Sequence, residues 1–162
     1  KKEVYLNRWL IENGYLKLDG LDGFKGITTD TKAFCLDPSR IYIHEEGKYK
    51  KGAIKSSDYS ALRNDLKNKL SEITYDGQKV IKRVYFKEEI FHGKYTENGP
   101  DMYLLPEYGF DLKGSVNKNT FFGTTHFKGM HTYDDAHVFS SISLDEKEFK
   151  IEDLMDIVLQ FK

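Results

Sequence analysis

Residues 57–86 read SDYSALRNDLKNKLSEITYDGQKVIKRVYF, and within this stretch the apolar period changes. Tyr59, Leu62, Leu66, Leu70 and Ile73 recur at spacings of three and four, the interval that lines one face of a helix. Ser57 and Asp58 stand where a helix cap is expected, because a short oxygen-bearing side chain there accepts from a free backbone N–H. After Asp76-Gly77, a turn dipeptide, Val80, Val84 and Phe86 follow the two-residue period of a strand. A helix that turns directly into a strand points to a mixed α/β class.

The rest of the chain repeats that alternation. Upstream, Lys32–Leu36 and Ile41–His44 read as strands joined by the turn Asp37-Pro38-Ser39. Asp19–Asp30 carries Gly20, Gly23 and Gly26 and reads as a loop. Val4, Leu6, Trp9, Leu10 and Ile11 form an apolar stripe that stops at Asn13-Gly14. Downstream, Asp101–Leu105 and Phe110–Leu112 flank Pro106 and Gly109 as a hairpin or a bent edge. Ala136–Ile142 suits a buried strand, and Ile151, Leu154, Met155, Val158, Leu159 and Phe161 make an amphipathic closing helix. Strands interleaved with helices favour α/β over all-α or all-β.

Composition narrows the classes further. The 162 residues hold 25 Lys plus Arg against 26 Asp plus Glu, so the net charge of -1 gives no reason to expect broad nucleic-acid affinity. A single cysteine, Cys35, excludes an internal disulfide and a zinc knot built on thiolates. The expected setting is reducing and cytoplasmic. No apolar run approaches the roughly 18 residues of a membrane span, so no membrane partner is expected, and the N-terminus does not read as a signal peptide. The chain opens Lys1-Lys2-Glu3-Val4 without a Met. Upstream chain is therefore expected to have been removed.

Four segments, in order, carry a resemblance. Asn7-Arg8-Trp9-Leu10 with Glu12-Asn13-Gly14-Tyr15-Leu16 comes first, then Thr31-Lys32-Ala33-Phe34 with Ile41-Tyr42-Ile43. The third runs from Arg83 through Glu88-Glu89-Ile90-Phe91-His92-Gly93 to Gly99-Pro100-Asp101-Met102-Tyr103. The fourth is Gly129-Met130-His131-Thr132-Tyr133-Asp134, leading to Val138-Phe139 and Ile151-Glu152-Asp153-Leu154. Together they resemble the alkaline phosphatase superfamily, in the branch of type I phosphodiesterases, nucleotide pyrophosphatases and phosphomutases. The likeness spans nearly the whole chain, and its weight lies in collinearity more than in any one motif.

The resemblance implies the C-terminal part of an alkaline-phosphatase-like three-layer α/β core. A cap-like α+β subdomain would be inserted over residues 41–111, and residues 112–162 would supply the final core strand and closing helix. It also implies two divalent metal ions, zinc or manganese, about 4 Å apart, which activate a Thr or Ser nucleophile. The family's nucleophile, first Asp and Asp-His pair lie upstream of the segment matched by Asn7-Arg8-Trp9-Leu10. Only the histidine of its Gly-x-His loop carries over, and it lands on His131. The implied substrate is a phosphate ester or a nucleotide, the implied partner is the upstream half of the same protein, and the chain alone is expected to be inactive. A phosphomutase or sulfatase-like esterase would use the same scaffold, and a non-catalytic binding module is the alternative of a different class.

On the residues alone, His131 sits in a polar loop before an apolar run, where a scaffold can present it; an exposed loop histidine is the plain alternative. His126, in Thr124-Thr125-His126, is the competing loop. Asp134, Asp135 and His137 invite a local metal cluster with His131, although the acidic pair equally suits a solvated turn. His92 reads as a surface residue, and His44 as a solvated partner of Glu45 and Glu46. Cys35 reads as a small buried residue. The Gly20, Gly23, Gly26 spacing lacks the Lys-Ser or Lys-Thr of a phosphate loop. Lys48, Lys50, Lys51 and Lys55, with Tyr49 among them, make a basic patch that suits either a solvated hairpin or the steering of an anion.

Overall fold

The computed structural model describes residues 1–20, 23–127, 129–131, 133, 136–141, 143, 144, 148 and 150–159. The protein is mixed α/β, and the chain divides into two compact units, residues 1–130 and 131–162.

The N-terminal apolar stripe is two elements. Val4 and Tyr5 end a strand, β1 (Lys2–Tyr5), and the helix α1 (Leu6–Glu12) starts at the next residue. Leu6, Trp9 and Leu10 turn inward at helical spacing, and α1 stops at Asn13, whose N–H donates to the Trp9 carbonyl at 3.0 Å. β1 is the middle strand of a three-stranded sheet. It pairs in parallel with β8 (Phe110–Lys113), register Lys2↔Phe110 to Tyr5↔Lys113, and antiparallel with β9 (Phe122–Gly123) on its other side. A parallel pair requires a crossover, and here the crossover holds the rest of the first unit's strands.

Four of those strands form a second, antiparallel sheet of order β2-β3-β7-β6. Its members are β2 (Ala33–Cys35), β3 (Arg40–Ile43), β6 (Ile81–Phe86) and β7 (Met102–Pro106). The helix α2 (Ser56–Ser71) packs on β6 with Leu66 and Leu70 buried, while Tyr59 and Leu62 lie against the same core. Its cap falls two or three residues earlier than the Ser57 or Asp58 that the sequence suggested. Lys55 is the cap position and makes no side-chain cap bond, and Ser57 donates to Asp58 instead. Asp58 keeps a favourable place in the first turn, at the positive end of the helix dipole. A two-strand ribbon, β4 (Thr74–Tyr75) and β5 (Gln78–Lys79), follows. Its turn is Asp76-Gly77, with φ of 49° and 77°, the left-handed pair that a tight hairpin demands. After β6 comes a single helical turn, α3 (Lys87–Ile90).

Two sequence expectations change. Asp101–Leu105 and Phe110–Leu112 are not a hairpin: β7 pairs with β3 and β6, and β8 crosses to β1. The chain bends between the two sheets at Glu107–Gly109, anchored by Glu107 N–H on the Val80 carbonyl at 2.9 Å. Ala136–Ile142 is not a strand over its described residues, 136–141. Val138 is 50% and Phe139 90% exposed, and no strand among the described residues pairs with them, so the ladder and the apolar cover that a buried strand needs are both missing. The closing helix exists as a 3-10 turn, Ile151–Asp153, continuing into α4 (Leu154–Leu159). Ile151, Met155, Val158 and Leu159 are exposed, and Phe161 lies outside the described residues. No helix among the described residues is long and apolar enough to cross a membrane.

Candidate functional site

His131 is exposed and opens the second unit, directly after Gly129 and Met130 at the end of the first. Of its neighbours in the suggested cluster, Asp134 and Asp135 lie outside the described residues, and His137 sets its ring edge-on to Phe139 at 5.2 Å. His126 and His92 are exposed as well. Among the described residues, no three His, Cys, Asp or Glu side chains gather as a metal site would require. A pair of divalent ions takes several oxygen or nitrogen ligands at each metal. One imidazole does not make that site, so the described residues by themselves do not fit the metal pair.

What the fold does bring together is a buried charge cluster that sequence reading missed. Asp101, just before β7, is 1% exposed. Its carboxylate accepts from the Ile43 N–H at 2.7 Å and from the Tyr59 hydroxyl at 2.6 Å. The Lys87 ammonium, itself buried, lies 3.4 Å from Asp101 and 2.7 Å from Glu97, and Lys48 approaches Asp101 at 3.6 Å. Burial opposes the Lys87 charge, but the hydrogen bond to Glu97 and the Asp101 carboxylate outweigh it and raise the Lys87 pKa. Burial, followed by the bond to Asp101, pushes the Tyr59 phenol well above its ordinary value. The arrangement locks α2, β3, α3 and β7 to one another. The available signal was an acidic residue opening an otherwise apolar strand, Asp101-Met102-Tyr103-Leu104.

His44 is a correction. It is not a solvated partner of Glu45 and Glu46 but 2% exposed, at the end of β3, with Nδ1 3.1 Å from the Thr31 carbonyl. A carbonyl only accepts, so Nδ1 carries the proton. Phe34 stands edge-on to the His44 ring at 6.0 Å, and Tyr49 lies 5.6 Å away. Burial lowers the His44 pKa below 6.5; the Thr31 carbonyl opposes this and the Lys51 charge adds to it. A base whose folded pKa is depressed contributes its stability above the unfolded value and loses it as pH falls below that value. The urea midpoint is therefore expected to fall between pH 7.5 and pH 5.5 (roughly the range that brackets an ordinary histidine), and to fall less in His44→Gln. Parallel pH profiles for the two proteins would contradict this.

Phe24, Ile27, Phe34 and Tyr49 surround His44 in an open cleft of about 310 Å³, with Lys25, Lys50 and Lys51 at its mouth. Cys35, next to Phe34, is fully buried, as the sequence suggested. Its Sγ donates to the Asp37 carbonyl at 2.8 Å, and burial pushes the thiol pKa up to about 12, so it is no nucleophile. No family model, curated protein or solved structure matches the chain.

Proposed function

We propose that this chain is the C-terminal part of a metal-dependent phosphoesterase of the alkaline phosphatase superfamily, in which His131 supplies one metal ligand. The observation that carries this reading is the collinear order of four segments that closes on Gly129-Met130-His131. Their packing supports it. Asn7 of the first segment hydrogen-bonds the backbone of Cys35, the last residue of β2 in the second, and Lys32 and Ala33 N–H groups both donate to the Tyr15 carbonyl. The parallel pairing of β1 with β8 across a long crossover is the connection expected of an α/β core layer.

In this reading the three-layer core is completed by chain preceding the Asn7 segment, which carries the nucleophile and the remaining ligands. The reaction is hydrolysis of a phosphate mono- or diester. His131 is exposed, and in this reading its imidazole is one ligand, a donor type that suits zinc or manganese. The test uses the complete polypeptide encoded around this chain, loaded with zinc or manganese and assayed on para-nitrophenyl phosphate and on bis-para-nitrophenyl phosphate. Hydrolysis of one of them is expected, with a loss of at least about a hundredfold in His131→Ala, since a metal contributes several kcal/mol of charge stabilisation. Full activity in His131→Ala, or hydrolysis of neither ester, would overturn the proposal.

A further inference from the structure

The cleft around His44 has no part in the metal chemistry proposed above, and its lining is unusual for bare surface. Its walls are aromatic. Phe34 is the centre, with Phe24 edge-on at 5.8 Å and Tyr49 edge-on at 5.3 Å, and Ile27 closes one side. At the mouth, Leu36 leaves 54% of its surface uncovered.

Among the described residues the rim has a single sign: Lys25, Lys50 and Lys51 line the cleft, and no described Asp or Glu does. Lys51 donates one hydrogen to the Ile27 carbonyl at 2.8 Å, which holds its ammonium at the edge with two hydrogens left. Lys25 and Lys50 make no ion pair among the described residues, whereas Lys48 next door turns away to Asp101.

The loop that presents Lys50 and Lys51 is closed on itself. Tyr49 N–H donates to the Glu45 carbonyl at 3.2 Å and Gly52 N–H to the Tyr49 carbonyl at 2.9 Å. A Cβ at Gly52 would stand 1.9 Å from the Glu45 carbonyl oxygen, so only glycine permits this closure. The two ammonium groups are thus carried on a tight loop above an aromatic floor.

We infer that this cleft binds a small molecule with a flat apolar ring system and an anionic group, the ring seated against Phe34 and Tyr49 and the anion held by Lys25, Lys50 and Lys51. The volume, at the small end of the range for ligand pockets, suits one fused bicyclic ring with a compact anion. The ring supplies the apolar burial, and the lysines supply orientation and discrimination against neutral analogues.

The inference does not rest on the phosphoesterase reading, and its test is run on this chain with a chelator present. Naphthyl phosphate is titrated by calorimetry, alongside neutral naphthol and inorganic phosphate. Saturable one-to-one binding of naphthyl phosphate is expected, about tenfold tighter than naphthol, with no measurable competition by inorganic phosphate. Lys25→Gln/Lys50→Gln, two exposed changes that leave the core untouched, should weaken naphthyl phosphate binding by about three- to tenfold and naphthol binding not at all. His131→Ala should bind as the wild type does. Equal affinity for naphthol and naphthyl phosphate, an unaffected double variant, or no saturable binding would each overturn the inference.

Discussion

Asp101→Ala is expected to destabilise the protein by about 3–5 kcal/mol, the range for removing one partner from a buried ion pair. The carboxylate is 1% exposed and is the shared acceptor for the Ile43 N–H, the Tyr59 hydroxyl and the Lys87 ammonium. Alanine leaves a backbone N–H and a phenol without their acceptor, and leaves the buried Lys87 with Glu97 alone. Glu97 is mostly solvent-exposed on its side of the pair, so it screens poorly for a desolvated ammonium. Asp101→Asn keeps the shape and one acceptor oxygen but replaces the other with an NH2 donor and removes the charge, so it should cost less than alanine without being neutral. Adding Lys87→Met to Asp101→Asn should recover part of the loss, because the uncompensated charge is then gone. Urea denaturation of the four proteins checks this; a loss below about 1 kcal/mol in Asp101→Ala would place the cluster among ordinary surface pairs.

Asn7→Ala is expected to be nearly as costly. Asn7 is fully buried, and its amide bonds only to backbone. Nδ2 donates to the Cys35 carbonyl at 2.6 Å and to the Gly114 carbonyl at 2.7 Å, while Oδ1 accepts from the Cys35 N–H at 2.8 Å. One side chain on α1 thereby fastens β2 of the antiparallel sheet and the end of β8 of the parallel one. Alanine would leave one N–H and two carbonyls in the core without partners, for about 2–4 kcal/mol in total, given about 1–3 kcal/mol for each unsatisfied buried group and some relaxation. Asn7→Asp should be no milder, because a carboxylate would face two carbonyl oxygens with nothing to donate. Hydrogen exchange at the Cys35 amide gives the local reading, which should lose protection in Asn7→Ala. Retained protection there would mean that β2 is held by its pairing with β3 alone.

Periodicity found the elements whose burial is one-sided. The stripe from Tyr59 to Ile73 is a helix packed on a sheet, and Val80 and Val84 are buried on the strand side of the Asp76-Gly77 turn. It could not say which strands share a sheet. Met102–Pro106 and Phe110–Lys113 look like the arms of a hairpin in one dimension, yet their partners are far away in sequence. Nor could it see that the stripe from Val4 to Ile11 changes from strand to helix at Leu6, since both faces of that segment are covered.

The polar residues were harder still. His44 looked solvated because Glu45 and Glu46 follow it, but burial is set by Phe34 and Tyr49, which arrive from β2 and from the loop beyond. Asp101 and Asn7 act through backbone groups and side chains remote in sequence; an acidic residue opening an apolar strand hints at Asp101, and no local pattern announces Asn7. The basic run at Lys48–Lys55 was visible, but its division was not. Lys48 is spent on Asp101, while Lys50 and Lys51 join Lys25 around an aromatic cleft. For His131 the sequence offered a loop histidine with a resemblance behind it, and the fold adds that the side chain is exposed.

Metal stoichiometry of the complete polypeptide, measured with and without His131→Ala, bears most directly on the proposed role of this chain. Two divalent ions per molecule are expected in the wild type, falling to one or fewer in the variant, with the cleft's affinity for naphthyl phosphate unchanged. An undiminished metal content in His131→Ala, or no bound metal in the wild type, would contradict the assignment of His131 as a ligand and the phosphoesterase reading with it.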